Sequence, residues 1–138
     1  MREILFRGKR TDNGEWVEGY YYKAKYCRTD DELCDYITVP HPKEYNEPSS
    51  HYIVNPDTVG QYTGLKDKNG TKIFEGDIVK RFWFGKMCIC QIDYNNGLAS
   101  FIGQAGTKFT TFDYDSEEFE VIGNIYDNPE LLRGDNNG

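Results

Sequence analysis

Residues 59–79 read V-G-Q-Y-T-G-L-K-D-K-N-G-T-K-I-F-E-G-D-I-V, and this stretch decides the fold. It predicts strand, turn, strand, tight turn, strand. Lys68-Asn69-Gly70 is the sharpest turn signal, because Asn-Gly accepts the positive φ that a tight hairpin demands. Lys72-Ile73-Phe74 then pairs back. Glu75-Gly76-Asp77 bends the chain again, and Asp77 is read as fixing that bend through a side-chain-to-backbone hydrogen bond. Ile78-Val79 opens the next strand.

Downstream, Met87 to Tyr94 is a strong strand, Asn95-Asn96-Gly97 a second hairpin turn, and Leu98 to Ile102 the return. Phe109–Phe112 and Glu118–Tyr126 give two more strands. Asn128-Pro129-Glu130-Leu131-Leu132 has Asn where a helix N-cap belongs and Pro at the first position, so a last helical turn is expected. Residues 133–138 should fray. Upstream, Glu3–Gly8 and Glu15–Tyr22 flank the turn Thr11–Gly14 and make a β-hairpin. Tyr36–Val39 and His51–Val54 are short strand candidates, separated by a loop carrying Pro40, Pro42 and Pro48.

The whole is mostly β. The expectation is a small SH3-like β-barrel in the C-terminal half, residues 51–132, with its strands between about Val54 and Tyr126. An N-terminal hairpin and Pro-containing loop, residues 1–50, precedes it as a separate lead-in and a self-association element. Eleven Tyr, eight Phe and two Trp supply large buried areas.

Asp and Glu outnumber Lys and Arg by 23 to 16, a formal charge of −7. Such a surface repels phosphate backbones and argues against non-specific nucleic-acid binding. No apolar run approaches the ~18 residues a spanning helix needs, and the start M-R-E-I-L-F-R-G-K-R has no apolar signal core. A membrane partner is not expected, and a cytoplasmic location is. Cys27 and Cys34 are seven apart, and Cys88 and Cys90 two apart. Structural zinc prefers C-x2–4-C spacing, so reduced thiols and no metal are expected.

No constellation of nucleophile, base and stabiliser stands out, so no catalytic residues and no cofactor are assigned. His41 and His51 flank the Pro-rich loop and read as surface histidines. Glu117 and Glu118 are adjacent, so on a strand they face opposite ways. Gly103-Gln104-Ala105-Gly106 leads into a strand rather than a helix, unlike a phosphate cradle. Arg133-Gly134-Asp135 is a chance tripeptide. Two candidate surfaces remain. Lys80, Arg81, Phe82, Trp83 and Lys86 interleave cations with aromatics, as a single-strand nucleic-acid platform does; the competing reading is a strand with inward aromatics and solvated cations. Trp16, Tyr20, Tyr21 and Tyr22 put aromatics on both faces of one strand, and an isolated hairpin must cover them. That favours a homo-oligomer.

The opening E-I-L-F-R-G-K-R, the block D-T-V-G-Q-Y-T-G-L-K-D-K-N-G-T-K-I-F-E-G-D-I-V and the closing F-E-V-I-G-N-I-Y-D-N-P-E-L-L resemble the YopX-like family of phage and prophage proteins. The resemblance covers start, middle and end in order. It implies a phage or prophage origin and brings no activity with it. The expected function is therefore a non-enzymatic binding or assembly module meeting a host or phage protein, with nucleic-acid binding through Lys80–Lys86 as the alternative.

Overall fold

A computed structural model describes residues 3–25, 33–39, 50–83, 85–95, 100–105, 108–111 and 118–134. The chain divides into two compact units, Met1–Gln61 and Tyr62–Gly138. The sequence placed the division near residue 50.

The first unit is an antiparallel sheet. Its strands are β1 (Phe6–Lys9), β2 (Trp16–Lys25), β3 (Leu33–Val39), β4 (Ser50–Ile53) and the opening residues of β5 (Gly60–Lys66). They are hydrogen-bonded in the order β4-β3-β2-β1-β5. The hairpin expected from Asn13-Gly14 forms: Gly14 N donates to Arg10 O (3.0 Å), Arg10 N to Glu15 O (2.8 Å), and Glu15 N to Asn13 Oδ1 (2.9 Å). The hairpin is not alone. β2 runs ten residues and pairs over six of them with β3, which in turn pairs with β4. Proline-rich sequence hid this continuity, because long-range pairing leaves no local signal.

Period-two alternation sorts the side chains of this sheet. Phe6, Tyr21, Ile37 and Tyr52 point one way, and Ile37 is fully buried. Gly19 lies on the same face, where a β-carbon would stand 2.2 Å from the Thr38 carbonyl oxygen. The close approach of β2 to β3 therefore requires glycine there.

The second unit holds the rest of β5, then β6 (Lys72–Phe74), β7 (Asp77–Trp83), β8 (Lys86–Asn95), β9 (Ser100–Ala105), β10 (Lys108–Thr111), β11 (Glu120–Asn124) and the short helix α1 (Glu130–Gly134). The β5–β6 hairpin carries a bulge, with Tyr62 opposite Phe74 and Lys66 opposite Lys72. Thr63 sits in it and donates its hydroxyl to Ile73 O (2.8 Å) while accepting from Leu65 N (3.2 Å). The turn at Gly76 is held as the sequence implied: Phe74 N donates to Asp77 Oδ2 at 2.7 Å, and Asp77 is buried. Gly76 adopts φ +92°, and its N–H and C=O bond Ile92 O (2.8 Å) and Ile125 N (2.9 Å).

The five-stranded sheet is ordered β10-β9-β8-β7-β11. The structure is mostly β as expected, built as antiparallel sheets with no closed barrel among the described residues. Closure would need the edge strands β10 and β11 to pair with each other, and among the described residues they do not. Turn signals at regular spacing fix hairpins, and they do not fix whether the last edge meets the first. The core is Ile73, Val79, Cys90, Ile92 and Phe119, with Leu65 and Val121 packed on it. Each large apolar side chain here contributes about 1.5–3 kcal/mol by leaving water. Asn128 does not cap α1 as expected: its Oδ1 accepts from Asn124 N (3.3 Å), closing the preceding turn instead.

Candidate functional site: an aromatic sheet face

The register of β1 through β4 gathers Trp16, Tyr20, Tyr22, Tyr36 and His51 on the face opposite Ile37. Arg7 and Lys9 share that face, beside Glu18. The cations are placed by the indole: the Arg7 guanidinium stands 4.6 Å and the Lys9 ammonium 5.7 Å from the Trp16 ring centroid. Tyr22 stacks on Tyr36 with centroids 5.3 Å apart and planes 17° apart. His51 Nδ1 lies 2.9 Å from the Tyr22 hydroxyl and 2.8 Å from the Thr38 hydroxyl, bridging three strands. Tyr20 differs from its neighbours: it is 58% exposed. Aromatics in offset stacks and cation–π contacts each add roughly 0.5–1.5 kcal/mol beyond area burial, so this face is stiffened before any partner arrives.

Of the residues suggested for self-association, the structure unites Trp16, Tyr20 and Tyr22 and separates Tyr21. Tyr21 points to the opposite face, 5.6 Å from the Phe6 ring centroid, and donates a short hydrogen bond to Asp35 Oδ1. Burial pushes its phenol up to about 12, helped by the Asp35 carboxylate, which accepts the proton-bearing hydroxyl.

The basic–aromatic strand is also split. Lys80 and Phe82 lie on one face of β7, Arg81 on the other. Lys80 Nζ is 3.3 Å from Glu120 Oε2. Arg81 is 9% exposed, lies 5.0 Å over the Phe119 ring, and has Nη1 3.5 Å from Glu118 Oε2. Phe82 is 67% exposed and pairs across the hairpin with Met87, which is also exposed. Lys86 is exposed beside them, and only the backbone of Trp83 lies within the described residues. Two of the three cations are thus turned to carboxylates of the same chain rather than to a common groove.

Cys34 is half-buried, Cys88 exposed and Cys90 buried, none of them in a disulfide, while Cys27 and His41 lie outside the described residues. Cys88 and Cys90 share a face of β8, as period two requires. Among the described residues no three His, Cys, Asp or Glu side chains are grouped for a metal ion. Among the described residues no helix is long and apolar enough to cross a membrane.

One residue escaped the sequence reading. Asp67 is buried at the β5–β6 turn, and its carboxylate accepts from Asn69 N (2.8 Å), Thr71 N (2.9 Å) and Val121 N (2.9 Å). Burial pushes its carboxyl up, but these donors and Lys68 outweigh that and hold it below the ordinary value. An Asp before Lys-Asn-Gly is itself a turn signal, so the first two contacts were readable. The third spans 54 residues and was not.

No curated protein matches this chain. A crystal structure of protein EF1440 from Enterococcus faecalis is similar, with a TM-score of 0.52 and 27% identity, over 96% of this chain and 99% of that one. The family described as "YopX protein" matches residues 5–133. With nearly its whole length matched, the chain belongs to the YopX family.

Proposed function

We propose that this YopX-family chain is a non-enzymatic binding or assembly module of phage or prophage origin, acting in the bacterial cytoplasm and pairing with a second copy of itself through the aromatic face of its first unit. The observation that carries the reading is Tyr20, 58% exposed in a row whose other rings are already held by neighbours. A large aromatic with two rotatable angles offers contact area at little entropic cost, the property that concentrates Tyr in interfaces. The face also carries its own counter-charges, Arg7 and Lys9 beside Glu18. A two-fold axis through such a patch sets the cations of one copy against the carboxylate of the other. The split of Lys80 and Arg81 onto opposite faces removes support from the nucleic-acid alternative.

Light scattering on the purified full chain tests this. A mass of two or more chains is expected, falling towards one in Tyr20→Lys, which puts a charge at the centre of the patch without touching the buried face. A monomer at the highest attainable concentration, or an oligomer indifferent to Tyr20→Lys, would overturn it.

A further inference from the structure

The β7–β8 hairpin of the second unit carries an inference independent of self-association. Its register runs without a shift from Ile78 opposite Gln91 to Trp83 opposite Lys86. Cys88 and Cys90 therefore stand side by side on one face of β8, across from Arg81 and Val79. Their surroundings differ. Cys88 is exposed, whereas Cys90 is 6% exposed and packs in the core with Val79, Ile92 and Phe119.

The spacing decides what the two sulfurs can do together. Two residues of a strand rise about 6.4–6.8 Å, and on one face their β-carbons stand about that far apart. A disulfide needs β-carbons about 3.5–4.5 Å apart, so this pair cannot close while the strand stays paired. Structural zinc takes four ligands, and among the described residues no three His, Cys, Asp or Glu side chains are grouped. A two-coordinate ion has a different reach. Two thiolate–metal bonds of roughly 2.3 Å set in line put the sulfurs about 4.6 Å apart. Each side chain reaches that separation by leaning towards the other, with no movement of the backbone.

The donor chemistry selects the ion. Soft thiolates favour Cu(I) over the hard cations that prefer oxygen. Cu(I) has a filled shell and accepts two ligands in line, where zinc completes a tetrahedron. Val79, Ile92 and Phe119 around the inner sulfur keep water from it, and the exposed Cys88 is the point of entry. No spare positive charge is needed: Arg81 already faces Glu118 (3.5 Å) and the Phe119 ring (5.0 Å). We infer that Cys88 and Cys90 form a two-thiolate site for Cu(I). Two S–H bonds break and two S–Cu bonds form. Both protons pass to solvent, the product is an anionic bis-thiolate, and no electron changes hands.

The reduced full chain, kept anaerobic, is titrated against Cu(I) held by bicinchoninate, whose colour reports the copper withdrawn. One copper per chain should leave the chelator, and X-ray absorption at the copper edge should show two sulfur neighbours. Loss of an outer-shell partner alone costs about 10–100-fold in metal affinity, so Cys88→Ser, which removes one of two ligands, should cost at least about a hundred-fold. That position is exposed, so the variant keeps its fold. The double variant Cys27→Ser, Cys34→Ser should bind as the parent does. No copper withdrawn by the parent chain, unchanged affinity in Cys88→Ser, loss of binding in the double variant, or a third sulfur at the copper would each overturn the inference.

Discussion

Asp67 shows how much one buried carboxylate organises. It satisfies two N–H groups of its own turn and one of β11. Replacing it by Ala strands those donors, each of which costs about 1–3 kcal/mol when buried and unpaired. Part of this is recovered by water, so a loss of about 2–4 kcal/mol is expected, read as a lower urea midpoint with an unchanged slope. Its pH dependence has a definite sign. The folded carboxyl lies below the ordinary value, so its stabilisation is complete above the unfolded value, near ~3.9, and is lost as pH falls through the folded one. Asp67→Asn should flatten that acid limb. Tyr21 works at the other end. Its phenol is raised to about 12, so its contribution is complete below the unfolded value of ~10 and is lost as pH rises through the folded one. Ultraviolet titration should show one tyrosine ionising late, and Asp35→Asn should bring it earlier. Neither partner was legible in sequence: Asp35 lies 14 residues from Tyr21, and only the β2–β3 register brings them together.

At the scale of elements, turns were readable and sheet edges were not. Asn13-Gly14, Asn69-Gly70 and Gly76-Asp77 each carry their geometry in two or three residues, and each forms as expected. Strand β3 starts three residues earlier than its predicted Tyr36, at Leu33, since its pairing with β2 extends to Lys25. Two glycines separate conformational from steric demands. Gly14 has φ +74° and open space around a would-be β-carbon, so Gly14→Ala should cost about 1–2 kcal/mol of backbone strain. Gly19 would drive a methyl into the backbone of β3 at 2.2 Å. Gly19→Ala should therefore cost more, about 2–3 kcal/mol or above, and thermal melts of the two variants rank them directly.

The molecule has two cores with different make-up. The first unit buries Ile37 and Val54 against tyrosines and small residues, and the second buries Ile73, Val79, Ile92 and Phe119. Ile37→Ala and Phe119→Ala should each cost about 2–5 kcal/mol. Hydrogen exchange should localise the first loss to Met1–Gln61 and the second to Tyr62–Gly138. A uniform rise in exchange in either variant would mean that the two units unfold as one. The sequence conveyed a mostly β composition, because glycine turns and aromatic runs are local. The two compact units divide within β5, which begins in one and ends in the other. The candidate aromatic face was half legible: alternation in β2 gave Trp16, Tyr20 and Tyr22, while Tyr36 and His51 arrive only through pairing with β3 and β4.

The Asn-Gly turns also govern how the protein ages. Spontaneous deamidation begins when the glycine nitrogen attacks the asparagine side-chain carbon, closing a succinimide and expelling ammonia. At Gly14 and Gly70 that nitrogen is engaged as a donor, to Arg10 O and Asp67 O, each at 3.0 Å. The folded turns commit that nitrogen's hydrogen to a carbonyl, and an amide held as a donor is slower to lose its proton and attack. Asn13 and Asn69 are therefore clocks that run only while their hairpins are open, and isoaspartate accumulating at either one records the time the chain has spent unfolded.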